Sequence, residues 1–183
     1  MRVNWVFAAG SYFDPSIDIE QIKRIGATWG SWKTWRGCAT DNVVCSDLPK
    51  IKELLARSFQ KNCNFYIPEN FYADLGRPPN VNLYHGNYQQ EVDDLENIVA
   101  IHLALSNSDL VLLYGFDLTV SESVIDRFQQ HKVTNYHGLI RSAIKSNLDI
   151  QWVAVNHNQK LNKAYKELPN LTCDEMKSVL KLL

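Results

Sequence analysis

Short apolar runs alternate with longer stretches of helical periodicity through most of this chain. The runs that are predicted as strands cover residues 3–9, 42–45, 63–67, 81–84, 109–114 and 150–155. Most of them are apolar on both faces, which is the pattern of parallel strands covered by helices on both sides. The alternation therefore predicts an α/β fold, a three-layer sandwich with a mainly parallel, Rossmann-like sheet.

Capping residues mark where the intervening helices are expected to begin. Asp47 stands before an amphipathic stretch that has Pro49 in its first turn, where the missing N–H of proline leaves no helical hydrogen bond unmade. Three further starts combine a capping side chain with a Glu or Gln three residues later: Asn87 with Gln90, Thr119 with Glu122, and Thr172 with Glu175. The last of these pairs predicts a terminal amphipathic helix over 174–183.

The size and charge of the chain narrow its class. A chain of 183 residues with 45% hydrophobic side chains is long enough for one domain with a real core, so a single α/β domain over 1–183 is predicted. Nineteen basic and twenty acidic side chains leave a formal net charge of −1. Because no overall positive field results, neither nucleic acid nor a membrane surface is expected as a partner.

The motifs that are missing exclude several enzyme classes. The sequence contains no GxGxxG, GxxxxGK[ST], GxSxG or HExxH pattern, which argues against classical NAD enzymes, P-loop NTPases and α/β-hydrolases. No metal site is predicted and no particular cofactor is indicated. The four cysteines form no CxxC pair and are expected to be free thiols. The apolar N-terminal run is too short for a secretory or spanning segment, so a cytoplasmic protein is predicted.

Polar residues follow most of the predicted strands at the point where each strand ends. In open parallel sheets the ligand crevice lies beyond these carboxyl ends, where loops and helix N-termini gather unpaired N–H groups. The candidate ligand-binding residues there are Gly10, Ser11, His85, Gly115 and Asn156. Such a set suits a small molecule that bears phosphate or sugar groups. The alternative is that these residues only turn the chain and cap helices.

Asp117 and His137 are the candidate catalytic residues. Asp117 lies just beyond the most hydrophobic strand and two residues before the expected cap Thr119, so its carboxylate can orient a ribose hydroxyl, an acceptor hydroxyl or a metal. His137, about twenty residues later, is the candidate general base. The alternatives are an aspartate that bonds its own backbone in a turn and a histidine on the surface.

The segment WGSWKTWRG spaces Trp29, Trp32 and Trp35 three residues apart, with Lys33 and Arg36 beside them. Such a segment can form a stacking platform for bases or sugar rings with cations on its flank. It can equally be a loop that three large side chains pin to the body of the protein. The pinning role is favoured because the charge expected of a single-strand binder is missing.

The element LVLLYGFDL, followed by a helical segment with NYHGLI and the strand IQWVAVN, resembles the second half of sialyltransferase-like glycosyltransferases. In that family a strand ends in a Gly-hydrophobic-Asp element and a later histidine serves near the acceptor, which implies roles for Gly115, Asp117 and His137. Gly10 and Ser11 stand where the family has its nucleotide loop. In length and in segments such as NCNFYIPENFY and VNLYHG the chain also resembles small α/β proteins of marine bacteriophages, a resemblance that implies no activity.

Two hypotheses of different classes follow. The first is a protein that binds a nucleotide or nucleotide-sugar, extended by the resemblance to a glycosyltransferase-like transferase, with basic residues such as Arg36 or Arg77 neutralising phosphate. The second is a non-catalytic interaction protein, whose Trp-rich segment and amphipathic helices form a homodimer or partner surface. The first predicts a polar cleft at the strand ends, and the second a large apolar patch elsewhere.

Overall fold

The computed structural model describes residues 1–8, 14, 17–85, 95–116, 118, 127–155, 161 and 163–183, with backbone only for 127–135 and 164. Strands and helices alternate along this part of the chain, as predicted. The strands are β1 (Val3–Phe7), β2 (Ala27–Ser31), β3 (Asn42–Val44), β4 (Asn64–Pro68), β5 (Val81–Tyr84), β6 (Leu110–Tyr114), β7 (Gln151–Val155) and β8 (Leu171–Asp174).

The helices connect these strands on both sides of the sheet. They are α1 (Ile19–Lys23), α2 (Trp32–Trp35), α3 (Leu48–Ala56), α4 (Glu69–Tyr72), α5 (Leu95–Leu105), α6 (Arg127–Lys145), α7 (Lys163–Lys166) and α8 (Met176–Leu182), with a short 3₁₀ helix at Phe59–Lys61. None of the helices in the described ranges is both long and apolar enough to cross a membrane.

The described strands form one eight-stranded sheet in the order β5-β4-β3-β2-β1-β6-β7-β8. Every neighbouring pair is parallel. The chain first winds outward from β1 to β5, then crosses back through α5 to place β6 on the other side of β1. The direction of winding therefore reverses between β1 and β6, which makes their carboxyl ends the switch point of a doubly wound sheet.

Alternating side chains of the strands feed two layers of core. On one side of the sheet, Val6, Val111 and Leu113 pack against α5 and α6. Ile98 of α5 and Ile140 of α6 belong to the same buried cluster. On the opposite side of the sheet, Trp5, Phe7 and Leu112 pack with Ile22 of α1 and Val179 of α8, and a separate cluster packs under α2 and α3. The three-layer α/β sandwich with a parallel sheet is thereby confirmed.

Two strands were not predicted from the sequence. β2 has no continuous apolar run, and it is a strand because β1 and β3 pair with it on both sides. β8 contains Thr172, which had been predicted as a helix cap. The Thr172 hydroxyl instead donates to the Trp152 carbonyl oxygen (3.4 Å), and the terminal helix begins at Met176 after the N-cap Glu175, so that prediction is wrong. Pairing with β7 decides the outcome, since it satisfies more backbone groups than one cap would.

The predicted start of α3 is confirmed. Asp47 is the N-cap, its Oδ1 accepts a hydrogen bond from the Lys50 N–H (3.1 Å), and Pro49 lies in the first turn. The two other predicted starts, at Asn87 with Gln90 and at Thr119 with Glu122, lie outside the described residues.

Removal of the cap should destabilise the protein modestly. Asp47→Ala leaves the Lys50 N–H without its side-chain acceptor and is expected to lower the free energy of unfolding by about 1 kcal/mol, measured by urea denaturation. Asp47→Asn should stay close to the wild type because asparagine caps equally well. The matched control is Asp74→Ala, at an exposed carboxylate away from this helix start. An equal loss in both alanine variants would contradict the capping role.

Candidate functional site

Two hydrogen bonds and one glycine turn lie at the switch point between β1 and β6. The Ala8 N–H donates to the Tyr114 carbonyl oxygen (2.9 Å), and the Tyr114 hydroxyl accepts from the Asp14 N–H (3.1 Å). Gly115 follows β6 with a φ of 76°, a left-handed conformation that residues with a Cβ rarely adopt. Gly115 therefore bends the chain sharply at the point where a ligand crevice is expected.

Beyond Gly115 the chain anchors itself in the core. Phe116 is buried and its ring stacks on that of Tyr136 in α6, with centroids 6.4 Å apart and planes 11° apart. The Leu118 N–H donates to the Phe116 carbonyl oxygen (2.8 Å). Asp117 stands between these two residues in the sequence but is outside the described part of the chain. Gly10, Ser11 and Asn156 are outside it as well. Their assignment to the site stays a prediction.

His137 lies in the middle of α6, where it contacts α7. Its Nδ1 is 2.7 Å from the hydroxyl of Tyr165, a fully buried residue, and that hydroxyl is also 3.3 Å from the carbonyl oxygen of His137. The hydroxyl has one proton, so it can donate either to the carbonyl while accepting from Nδ1–H, or to Nδ1 itself. Burial raises the pKa of Tyr165, while the charge of Arg141 acts against this shift. Tyr165 therefore serves His137 as a neutral hydrogen-bonding partner.

His85 lies far from the switch point. It follows the edge strand β5, its side chain is 79% exposed, and its Nδ1 is 2.6 Å from Glu69 Oε2. Four strand spacings separate β5 from β1, which is about 19 Å at the usual 4.8 Å per spacing. Among the described candidates, the structure therefore does not bring His85 together with Gly115.

A buried carboxylate that belongs to no sequence motif lies at the carboxyl edge of the sheet. Glu96 is in the first turn of α5 and is only 5% exposed. Its Oε1 accepts hydrogen bonds from the backbone N–H of Ser46 (2.9 Å) and from the Ser46 hydroxyl (3.3 Å), just beyond β3. The nearby Cys45 thiol is buried as well. Glu96 thus ties the start of α5 to the carboxyl end of β3.

The surroundings of Glu96 have opposing effects on the pKa of its carboxyl group. Burial is the largest effect and raises the pKa of Glu96, whereas the Ser46 backbone N–H and the positive charge of Lys33 hold it down. Burial also raises the pKa of Cys45, and the negative charge of Glu96 adds to that shift. The net result is a carboxyl group that protonates more readily than an exposed one, beside an exposed lysine.

Asn97, the next residue of α5, adds a polar group whose carbonyl is unsatisfied. It is 2% exposed, and its buried side-chain Oδ1 has no hydrogen-bond partner among the residues that the structure describes. Buried polar atoms in native proteins are nearly always paired, because an unpaired one costs about 1–3 kcal/mol. The first turn of α5 therefore holds two adjacent buried polar side chains next to the strand ends.

The three tryptophans of WGSWKTWRG do not form one surface. Trp29 lies in β2 and faces the α5 side, where its ring packs on Tyr66 at 5.3 Å and its Nε1–H donates to Asn4 Oδ1 (2.9 Å). Trp32 and Trp35 lie in α2 and pack on the opposite side of the sheet. Trp29 accordingly packs against the core on the α5 side, while Trp32 and Trp35 form a separate group on the other side of the sheet.

The fold and this edge define the class of protein: a doubly wound, parallel α/β protein with buried polar groups at the carboxyl ends of its central strands. Within the described residues, no group of three or more His, Cys, Asp or Glu side chains is placed to hold a metal ion. The chain matches no family model, no curated protein and no solved structure. The sialyltransferase-like and bacteriophage resemblances therefore stay predictions, and the site has to be interpreted from its own chemistry.

Proposed function

We propose that this protein binds a small polar ligand of the nucleotide or nucleotide-sugar class at the carboxyl edge of its sheet, between Glu96 and the β1/β6 switch point. The observation that carries the proposal is the buried Glu96 carboxylate, which is bonded to Ser46 at that edge. Burial of a carboxylate costs free energy even when it is hydrogen-bonded, and the ends of parallel strands are where such sheets bind ligands.

The chemistry of this edge suits both parts of such a ligand. The Glu96 carboxylate and the Ser46 hydroxyl oxygen can accept hydrogen bonds from sugar hydroxyls, and the ammonium of Lys33 neutralises a phosphate. β3 lies two strand spacings from β1, about 10 Å at the usual spacing. A ligand that reaches from Glu96 to the switch point therefore has the length of a nucleotide or nucleotide-sugar rather than of a single phosphate.

The transferase form of the proposal uses the two residues predicted from the sequence. In a sugar transfer, a base removes the proton of an acceptor hydroxyl, the acceptor oxygen forms a bond to the sugar carbon, and the nucleotide leaves with the electrons of the bond that breaks. Asp117 orients hydroxyl groups in this proposal, and His137 is the base. The contact of His137 Nδ1 with Tyr165 would fix the orientation of the imidazole for that role.

A thermal-shift screen against nucleotides, nucleotide-sugars and common divalent metals tests the binding function. A ligand at about 100 times its dissociation constant adds roughly 2.7 kcal/mol to stability, or about 5–10 °C in Tm for a chain of this size. The ligand that shifts the wild type should shift Lys33→Gln much less. Lys61→Gln, an equal loss of charge at an exposed lysine after α3, should respond like the wild type.

Two outcomes would count against the proposal. If the ligand raises the Tm of Lys33→Gln and of Asp117→Asn as much as that of the wild type, it does not bind at this edge of the sheet. If no compound raises the Tm, the second hypothesis, an interaction protein or homodimer, is favoured. Sedimentation of the purified protein over a range of concentrations would then test whether it forms a dimer. Within the described part of the chain, the exposed large apolar side chains are Met1, Leu148, Leu182 and Leu183.

A further inference from the structure

A concave site lies away from the strand ends. It is a surface pocket of about 370 Å³ between α2, α3 and the 3₁₀ helix, on the side of the sheet opposite α5. Ligand pockets in proteins usually measure about 300–1,000 Å³, so this one is of a size to take a small molecule. Its lining includes two tryptophans and four charged residues: Trp32, Trp35, Arg36, Lys50, Glu53 and Arg57.

Two indole rings supply flat apolar surfaces to the pocket. Lys50 Nζ lies 4.5 Å from the centre of the Trp32 ring, a cation–π contact that holds both side chains. The Trp35 ring packs edge-on against Phe59, with centroids 4.7 Å apart and planes at 77°. Because both rings are held by neighbours within the fold, little side-chain freedom remains to be lost when a ligand stacks on them.

Positive charge exceeds negative charge around these rings. Glu53 is bonded on one oxygen to Lys50 Nζ (2.6 Å) and on the other to an Arg57 nitrogen (3.1 Å). The hydrogen bond from Lys50 is the main cause that lowers the pKa of Glu53, and the charges of Arg57 and Arg36 add to it. Among the described residues, one carboxylate thus faces three cations at this pocket, in a chain whose formal net charge is −1.

We propose that this pocket binds a small anion that carries a flat aromatic ring. The ring stacks on the indoles of Trp32 and Trp35, and the anionic group pairs with Arg36 and Arg57. A guanidinium has five N–H donors, so Arg57 can bind an anionic group while it keeps its bond to Glu53. The excess of cations favours an anion over a neutral ring, and the indoles favour an aromatic anion over a bare phosphate.

This pocket is independent of the proposed strand-end site. Its charged residues are Arg36, which follows α2, Lys50 and Glu53 in α3, and Arg57, which follows α3. Glu96 lies in α5 and Ser46 just beyond β3, and neither lines the pocket. Lys33 is not among the residues that line it. Variants of the two sites can therefore be compared within the same protein.

Phenyl phosphate is the probe, and the five indole N–H signals of the ¹⁵N-labelled protein are the readout. We expect the signals of Trp32 and Trp35, assigned by single Trp→Phe variants, to shift during the titration. Those of Trp5 and Trp152, which are fully buried in the core, should not shift. Inorganic phosphate and phenol are titrated separately, and each should bind at least about tenfold more weakly than the combined probe.

Charge-neutral variants locate the binding site. Arg36→Gln with Arg57→Gln should weaken phenyl phosphate about tenfold or more, whereas Lys52→Gln, an exposed residue of α3 outside the pocket, should bind like the wild type. Retained core indole signals show that each variant is folded. Unshifted Trp32 and Trp35 signals, equal binding of inorganic phosphate, or undiminished binding by the double variant would each overturn the proposal.

Discussion

Replacement of Trp5 with alanine is expected to lower the free energy of unfolding by about 3–5 kcal/mol, the range for large aromatic side chains in protein cores. Trp5 is 0% exposed in the central strand β1. Its ring stacks on Phe7 at 6.3 Å, and Phe7 packs edge-on against Tyr114 at 5.6 Å. Because this aromatic row leads to the switch point, its loss removes support directly beneath the proposed ligand site.

Urea denaturation and thermal melting measure this effect. For a chain of this size, a loss of about 3–5 kcal/mol corresponds to roughly 6–20 °C in Tm. Trp5→Phe should cost less, since the smaller ring fills part of the space and removes an indole N–H that has no hydrogen-bond partner within the described ranges. Trp32→Ala, at the rim of the surface pocket, is the matched control and should cost clearly less than Trp5→Ala. Equal losses at the two positions would contradict the described packing.

The fold was predictable where a strand carries its own apolar signal. The prediction for 81–84 coincides with β5, and that for 109–114 covers β6, whose residues are buried on both faces. β2 could not be recognised in this way because Gly30 and Ser31 carry no such signal. They are buried because β1 and β3 flank them, and that pairing is a property of the assembled sheet.

The candidate site was predictable only in outline. The sequence correctly placed Gly115 directly after an apolar strand, because glycine after a buried apolar run is typical of a sharp turn. Nothing in the sequence singles out Glu96, because an acidic side chain of an amphipathic helix usually lies on the exposed face. Its burial arises from Ser46, fifty residues earlier in the chain, which only the folded sheet brings within 2.9 Å.

Glu96→Gln is expected to separate stability from ligand binding. Burial raises the pKa of Glu96 above its ordinary value of 4.5, so the folded protein binds more protons than the unfolded chain between that value and the raised one. The contribution of Glu96 to stability is therefore fully present below pH 4.5 and is lost as the pH rises through the raised pKa. Glutamine does not titrate, and its side-chain oxygen can still accept from the Ser46 N–H.

Urea midpoints measured from pH 4 to pH 8 test this expectation. Glu96→Gln should lack the fall in stability that Glu96 causes with rising pH, and at pH 8 it should be at least as stable as the wild type. The same variant should lose most of the thermal shift produced by the ligand found in the screen. Glu167→Gln, at an exposed carboxylate, should alter neither property. If Glu96→Gln is instead less stable at pH 8 and keeps the ligand response, the carboxylate is a structural tie to Ser46. A carboxyl group that lowers stability at neutral pH and is needed for a ligand is what a functional site in a folded core is expected to contain.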